Sequence, residues 1–361
     1  MSDPLSEVRD GSDSSSPSSP TVPGRRRKAA TIRDVAQAAG VSTATVSKFI
    51  NGGQRFTREV EERVTTAVRE LGYSSNPMAR GMITGQTGNV GIVILDICNP
   101  HFTSLVKGAS RVAERAGLNL LFTDTAEGHT PELTMLQALS RRVDGIIVSA
   151  RLSEAAIEWL KHAGLPVIYY GGQQPDPGCY SVGVDNRAAA QMLGRHLRDL
   201  GHRRISYVGF SGARWSAERW KGLQDAFDGS DSVLRLFDVE SAVADEGERI
   251  ASSVLLCAEP PDAVVTYNDL VALGLLGQAQ LLGLRVPDDV SIAGFDNIIY
   301  GRYASPALTT VDTASELTGE TAMQRLIARI RGADEAPAGG HETLAVRVIA
   351  RGSTARRAPR G

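Results

Sequence analysis

From residue 90 to residue 295, strand-length apolar runs alternate with amphipathic helical stretches, and that alternation leaves few folds open. The runs are 90–97, 118–123, 145–149, 166–170, 204–209, 263–267 and 291–295; helical periodicity occupies 103–116, 131–141 and 187–200 among the gaps. Strands joined through helices run parallel, and the helices cover both faces of the sheet. This 361-residue chain gives about 230 residues to the pattern, more than one sheet-centred core ordinarily holds, so two doubly wound lobes are expected. No internal repeat of solenoid period is present.

In open parallel sheets, ligands bind beyond the carboxyl ends of the strands. The residues that follow those ends are Asn99, His101 and Phe102, then Asp124, Arg151, Tyr170, Arg214 and Arg219, and finally Asn268, Asp269 and Asp296. Aromatic, Arg, Asn and Asp groups facing one cleft suit a polar ligand carrying hydroxyl or anionic groups.

A different pattern precedes the alternation. Thr31 suits a helix N-cap with Asp34 in the first turn, and Ile32, Val35, Ala36 and Ala39 share one helix face. Gly40 ends that helix and Ser42 caps the next. In the second helix Val46, Phe49 and Ile50 face inward, which leaves Thr43, Ala44, Ser47 and Lys48 outward near its start. Thr57 opens a third helix whose Val60, Val64, Ala67, Val68 and Leu71 close a small core. This is helix-turn-helix spacing, in which outward residues early in the second helix reach base edges in the major groove. Residues 25–85 hold eleven Lys/Arg against five Asp/Glu, a net +6 in a chain of −2, so the remainder carries −8. The run Arg25, Arg26, Arg27, Lys28 adds to a basic end that suits a polyanionic partner.

Several classes are disfavoured. Residues 1–24 are Ser- and Pro-rich with no apolar h-region, and read as a disordered tail and not as a signal peptide. No apolar run approaches membrane-spanning length. Cys98, Cys179 and Cys257 form no CxxC pair and read as reduced thiols; the histidines show no ligand spacing, so no metal or other cofactor is expected. No GxGxxG follows a strand, no Walker loop is present, and Gly209-Phe-Ser-Gly212 is not a nucleophile elbow, which argues against an enzyme. An exported sugar-binding protein would share the two lobes but needs no helix-turn-helix head.

The stretch Thr31-Ile-x-Asp-Val-Ala-x-x-Ala-Gly-Val-Ser-x-x-Thr-Val-Ser, followed by Leu71-Gly-Tyr-x-x-Asn-x-x-Ala-Arg80, closely resembles the lactose-repressor/galactose-repressor family of regulators. The likeness continues at Asn99-Pro-His-Phe, Gly201-His-Arg-Arg-Ile, Asn268-Asp, Gly294-Phe-Asp-Asn, Pro306-Ala-Leu-Thr-Thr and Arg351-Gly-Ser-Thr, the last taken as a closing strand. It implies that Thr43, Ala44 and Lys48 read bases with a further contact from Arg55, while Thr31, Ser42, Thr45, Ser47, Asn51 and Thr57 hold phosphates. It also implies a hinge helix that enters the minor groove through Asn76, Ala79, Arg80 and Met82. Here the chain departs from the family: Ser75 stands in place of proline, Gly81 weakens the helix, and Met82 replaces a leucine wedge. Hinge folding is therefore expected to lean on DNA and on the dimer partner. In the cleft, Arg219 and Asp296 occupy the positions of a ligand-gripping arginine and carboxylate, and Arg214 lines up with a second arginine of purine-binding members. His101 replaces an aromatic, and Gly171-Gly172 offers no side chain where some members stack one.

The implied organisation is a disordered tail at 1–28, an all-α head at 29–75, a hinge and linker at 76–88, a two-lobed α/β periplasmic-binding-protein-like domain at 89–354, and a tail at 355–361. The first lobe takes about 89–184 and 313–343, the second about 185–312 and 344–354, with crossovers near Asp185, Asp312 and His341. Asp185, Asp269 and His202 read as groups serving the fold, and Trp215 and Trp220 as core or stacking platforms. The function implied is a cytoplasmic, nucleoid-associated repressor that binds a near-palindromic DNA operator as a homodimer. It would be controlled by a small polar effector, namely a sugar, nucleoside or purine-like molecule.

Overall fold

The computed structural model describes residues 30–50, 54–73, 86–126, 132–149, 151–172, 178–333 and 339–357. Asn51 and the hinge residues Asn76, Ala79, Arg80 and Met82 lie outside them. The chain divides into two compact units, Met1–Ala79 and Arg80–Gly361.

The described residues of the first unit form three helices, α1 (Ile32–Ala39), α2 (Thr43–Ile50) and α3 (Arg58–Glu70). Local chemistry sets their ends. Thr31 and Asp34 form a reciprocal capping box, with the Thr31 amide donating to Asp34 Oδ2 at 2.7 Å and the Asp34 amide to Thr31 Oγ1 at 3.4 Å. Gly40 stops α1 in the left-handed region at φ 62°, where a side chain would be strained. Ser42 Oγ accepts the Thr45 amide at 3.1 Å and so caps α2. Val35, Ala39, Val46, Val64 and Ala67 are buried together, with Phe49, Ile50, Val60 and Val68 packed around them.

The described residues of the second unit form two six-stranded sheets of equivalent topology. The first lobe orders its strands β11-β5-β4-β3-β1-β2, all parallel, from β1 (Asn89–Ile94), β2 (Asn119–Asp124), β3 (Ile146–Ser149), β4 (Val167–Gly171), β5 (Tyr180–Val184) and β11 (Gly340–Leu344). The second orders β12-β10-β9-β8-β6-β7, from β6 (Arg204–Gly209), β7 (Val233–Asp238), β8 (Ala263–Thr266), β9 (Ser291–Phe295), β10 (Thr309–Asp312) and β12 (Arg347–Ile349). Only β12 runs antiparallel to its neighbour, β10. Covering helices in the first lobe are α4 (Pro100–Arg115), α5 (Glu132–Ser140), α6 (Glu154–His162) and α12 (Ser315–Ile330). In the second they are α7 (Asn186–Asp199), α8 (Arg214–Phe227), α9 (Ala244–Leu255), α10 (Asp269–Leu281) and the short α11 (Ile299–Tyr303).

Fully buried Ile92, Ile94, Leu105, Ile147, Ile168 and Leu326 join sheet and helices in the first lobe; Leu193, Leu197, Tyr207, Leu223 and Phe295 do so in the second. Each such aliphatic side chain contributes about 1.5–3 kcal/mol of transfer free energy. Helices α4 and α12 pack backbone to backbone, since a Cβ at Gly319 would lie 2.0 Å from the Leu105 carbonyl oxygen.

The structure differs from the sequence reading in four places. β5, β7, β10 and β11 carry no uninterrupted apolar run: β5 is broken by Ser181 and Gly183, β10 begins with two buried threonines, and β7 and β11 lie at sheet edges where polar side chains are tolerated. The third crossover falls at residues 345–346, because His341 lies inside β11. Residues 351–354 are not the closing strand, which is β12; they turn, with the Ile292 amide donating to Ser353 O and the Ser353 amide to Ala307 O, both at 2.9 Å. Finally, residues 355–357 are docked and not tail: the Arg357 amide donates to Leu200 O at 2.9 Å, and its guanidinium pairs with buried Asp262.

Candidate effector cleft and nucleic-acid interface

In the head, Thr43, Ala44 and Lys48 are exposed on α2, as sequence spacing places them. Lys48 Nζ lies 3.5 Å from Gln54 Oε1, and Arg55 and Thr57 are exposed beside it in the approach to α3. The residues assigned to phosphates have local roles as well. Thr31 is half of the capping box, and Ser42 Oγ sits 2.9 Å from Thr45 Oγ1. Ser47 is half-buried.

In the second unit the carboxyl ends of the strands meet at a cleft between the lobes that holds about 690 Å³ of empty space, its open mouth included. Asn99, His101, Phe102, Arg151, Tyr170, Arg219, Asn268 and Asp296 line it. The same side chains that face the cleft also start the helices. Asn99 caps α4 through the His101 amide at 3.0 Å, and Asn268 caps α10 through the Val271 amide at 2.9 Å while its Nδ2 donates to Ala242 O at 2.8 Å.

Arg219, in α8, is buried and held from three sides. Its Nε donates to Asn186 Oδ1 at 2.9 Å and Nη1 donates to the Tyr267 carbonyl, while its plane lies 4.3 Å from the Phe295 centroid and 5.0 Å from that of Tyr267. Nη2 stands 4.0 Å from Asp296 Oδ1. Asp296 follows β9 with φ at 102°, and its Oδ1 accepts from Thr313 Oγ1 at 3.2 Å. From the first lobe, His101 brings Nδ1 to 2.8 Å from Ser315 Oγ and 3.6 Å from Asp296 Oδ1. Burial lowers the His101 pKa below its ordinary value; Asp296 opposes that shift and Arg219 reinforces it. The cleft therefore presents a fixed guanidinium, a carboxylate and a neutral imidazole within one small volume, beside the rings of Phe102, Tyr170, Trp215 and Tyr267.

Two residues expected here do not line the cleft. Asp124 is spent on two loop amides, Oδ2 accepting that of Ile97 in the loop after β1 at 3.1 Å and Oδ1 that of Ala126 in its own loop at 2.8 Å. Arg214 is exposed and lies 4.2 Å from the Trp215 ring centroid. Asp185 caps α7 through the Ala188 amide at 2.8 Å. Asp269 is buried beneath the cleft, accepting Thr310 Oγ1 at 2.6 Å and the Ile298 amide at 2.9 Å, and burial pushes its carboxyl well above the usual range. His202 Nε2 lies 3.1 Å from Ala355 O, and Trp220 stacks on Tyr207. Conversely, Ser149, Asn186 and Thr313 line the cleft although the sequence reading did not place them there, and Trp215, read as core or as a stacking platform, lines it as well. Asn186 and Thr313 follow the lobe crossovers, a signal that topology supplies and strand ends alone do not.

Among the described residues no group of His, Cys, Asp and Glu is arranged to hold a metal ion, and no helix is long and apolar enough to cross a membrane. Residues 31–76 match the family of bacterial regulatory proteins, lacI family, and residues 195–354 match the periplasmic binding protein-like domain. The chain is similar to the HTH-type transcriptional repressor CytR of Escherichia coli (strain K12), with 30% identity over 342 residues covering 91% of this chain and 98% of the relative. Among solved structures, a lac repressor dimer bound to operator and the anti-inducer ONPF shares the fold at a TM-score of 0.82 with 23% identity, over 91% of this chain and 100% of that one. A LacI family transcriptional regulator from Enterococcus faecium with bound ribose matches at a TM-score of 0.67 and 28% identity, over 74% of this chain and 99% of that one. The head, the paired lobes and a relative matched along nearly its whole length agree: the chain is a DNA-binding transcriptional repressor of the LacI family and not an enzyme.

Proposed function

We propose that this repressor binds a near-palindromic operator as a homodimer, and that a compact polar effector held between its lobes controls that binding. The observation that carries the reading is the Arg219–Asp296–His101 constellation. Arg219 Nη2 stands 4.0 Å from Asp296, and His101 of the opposite lobe is 3.6 Å from the same carboxylate oxygen. A donor and an acceptor side by side fit adjacent hydroxyls, or the edge of an amide-bearing ring, better than an apolar ligand. The effector classes that suit this chemistry are sugars, nucleosides and purine-like bases, and the related Enterococcus faecium regulator was solved with ribose. Because the ligand touches both lobes, it favours one degree of closure, and it shifts DNA affinity only by its differential affinity for the two states. In the head, Thr43, Ala44, Lys48 and Arg55 read bases, while Thr31, Ser42, Thr45, Ser47 and Thr57 hold phosphates, with Asn51 and the hinge residues Asn76, Ala79, Arg80 and Met82 completing the DNA contact. The protein works in the cytoplasm, on the nucleoid.

The test is a thermal-shift screen of sugars, nucleosides and purine bases, followed by mobility shifts on an operator selected from a random duplex pool. A hit is expected to change operator affinity by roughly 5–150-fold. Asp296→Asn should weaken the hit's binding at least tenfold and leave effector-free operator affinity within a few-fold, since asparagine tolerates the positive φ of 102° at this site. A normal response in that variant would place the site elsewhere; loss of operator binding would make Asp296 a structural group.

A further inference from the structure

Trp215 stands in the first turn of α8 in the second lobe, yet its indole rests on the first lobe. A Cβ added at Gly172 would lie 2.8, 2.9 and 3.2 Å from its Cζ3, Cη2 and Cε3 atoms, and one at Gly171 would lie 3.6–3.9 Å from Nε1, Cζ2 and Cε2. The two glycines have different reasons to be there. Gly171, the last residue of β4, has φ at 109°, a conformation that itself favours glycine, whereas Gly172 has no such backbone requirement. What position 172 needs is space, and the indole fills it. The Arg214 guanidinium covers the ring at 4.2 Å, and Trp215 is only 6% exposed while still lining the cleft. A large apolar ring from one lobe is thus seated on bare backbone of the other, at the edge of the ligand cleft.

We propose that Trp215 is an interlobe clamp. Seated on Gly171–Gly172 it holds the lobes together over the cleft; unseated, it lets them part, and its seating sets operator affinity in the absence of any effector. The second half of this proposal rests on the reading that lobe closure controls DNA binding. The first half does not, and the two separate experimentally. The full chain carries three tryptophans, so Trp159→Phe with Trp220→Phe leaves Trp215 as the sole indole fluorophore. In that background Trp215 is expected to be shielded from acrylamide, and Gly172→Ala should raise its quenching at least threefold with a red-shifted emission. Gly277→Ala, which places a Cβ in open space, should change neither. Quenching in Gly172→Ala equal to the parent overturns the clamp. Should Gly172→Ala fail to fold, Trp215→Leu serves instead: amide hydrogen exchange at residues 168–172 is expected to rise about tenfold, and unchanged exchange there overturns the clamp equally. On a selected operator, without effector, Gly172→Ala should shift affinity at least fivefold relative to Gly277→Ala. Raised quenching with operator affinity within twofold would keep the clamp and overturn its coupling to DNA.

Discussion

Arg219 is held from several sides in the cleft, and its surroundings decide which substitution is informative. Removing it leaves the Asn186 amide oxygen and the Tyr267 carbonyl without their buried donor and strips a cation from between two rings. Arg219→Ala should therefore cost about 2–4 kcal/mol in chemical denaturation, in addition to any loss of ligand. Asp296→Asn, which keeps shape and backbone preference, is the cleaner probe of the site. His101 supplies a test by pH. Its folded-state pKa lies below the ordinary value of 6.5, so on acidification the unfolded chain takes up a proton that the folded chain refuses. The contribution of this group to stability is complete above about pH 6.5 and declines as pH falls toward the depressed folded pKa. Asp269 acts with the opposite sign, since its raised pKa lets the folded state hold a proton on acidification. The overall melting curve mixes both, so the useful quantity is a difference. The stability advantage of wild type over His101→Gln should shrink between pH 7.5 and 5.5; a constant difference would mean that His101 is not kept neutral by burial.

At the scale of elements, α2 presents two short side chains, Thr43 and Ala44, and one long cation, Lys48. Val46 anchors it in the head core, while Thr43, Ala44 and Lys48 are exposed on its outer side. Short groups favour a methyl contact or a single hydrogen bond over bidentate reach. Ala44→Gln should accordingly change the preferred base at one position of each half-site, by about 1–3 kcal/mol in a selection on randomised duplexes. An unchanged preferred sequence would remove Ala44 from the base-reading set. The head helices were legible in the sequence because their determinants are local: the Thr31–Asp34 box, Gly40 at φ 62° and Ser42 at the next cap all act within a few residues. The strands were less evenly legible. β1, β3, β6 and β9 are buried on both faces and read as apolar runs, whereas β7 alternates exposed and half-buried residues and β11 spells Gly-His-Glu-Thr-Leu at an edge.

At the scale of the molecule, the two sheets end in edge strands that carry large apolar side chains into solvent. Phe122 on β2 is 55% exposed, and on β7 Leu236 is 54% and Val233 46% exposed. Open edges of this kind invite pairing unless they are covered, and the proposed homodimer is expected to cover both. Light scattering is expected to give twice the chain mass at micromolar concentration, and Leu236→Glu should weaken that association at least tenfold and operator binding with it. A stable wild-type monomer, or a tetramer, would contradict the proposed assembly.

Strand–helix alternation, caps and the order of motifs along the chain were enough to read the fold class, the helix-turn-helix head, and eight residues that line the cleft out of the eleven named from strand ends, because each depends on periodicity or on neighbours in sequence. The tertiary structure decided the rest. Asp124 and Arg214 follow strands or their loops as the others do, but Asp124 ties the loop after β1 to its own and Arg214 lies over Trp215. Asn186 and Thr313 reach the cleft through the crossovers, and Trp215 meets the other lobe through the opposition of the lobes. Whether Gly172 is a spacer or the seat of a ring depends on Trp215, a residue of the other lobe. Such pairings join positions far apart in the chain, and no local period records them.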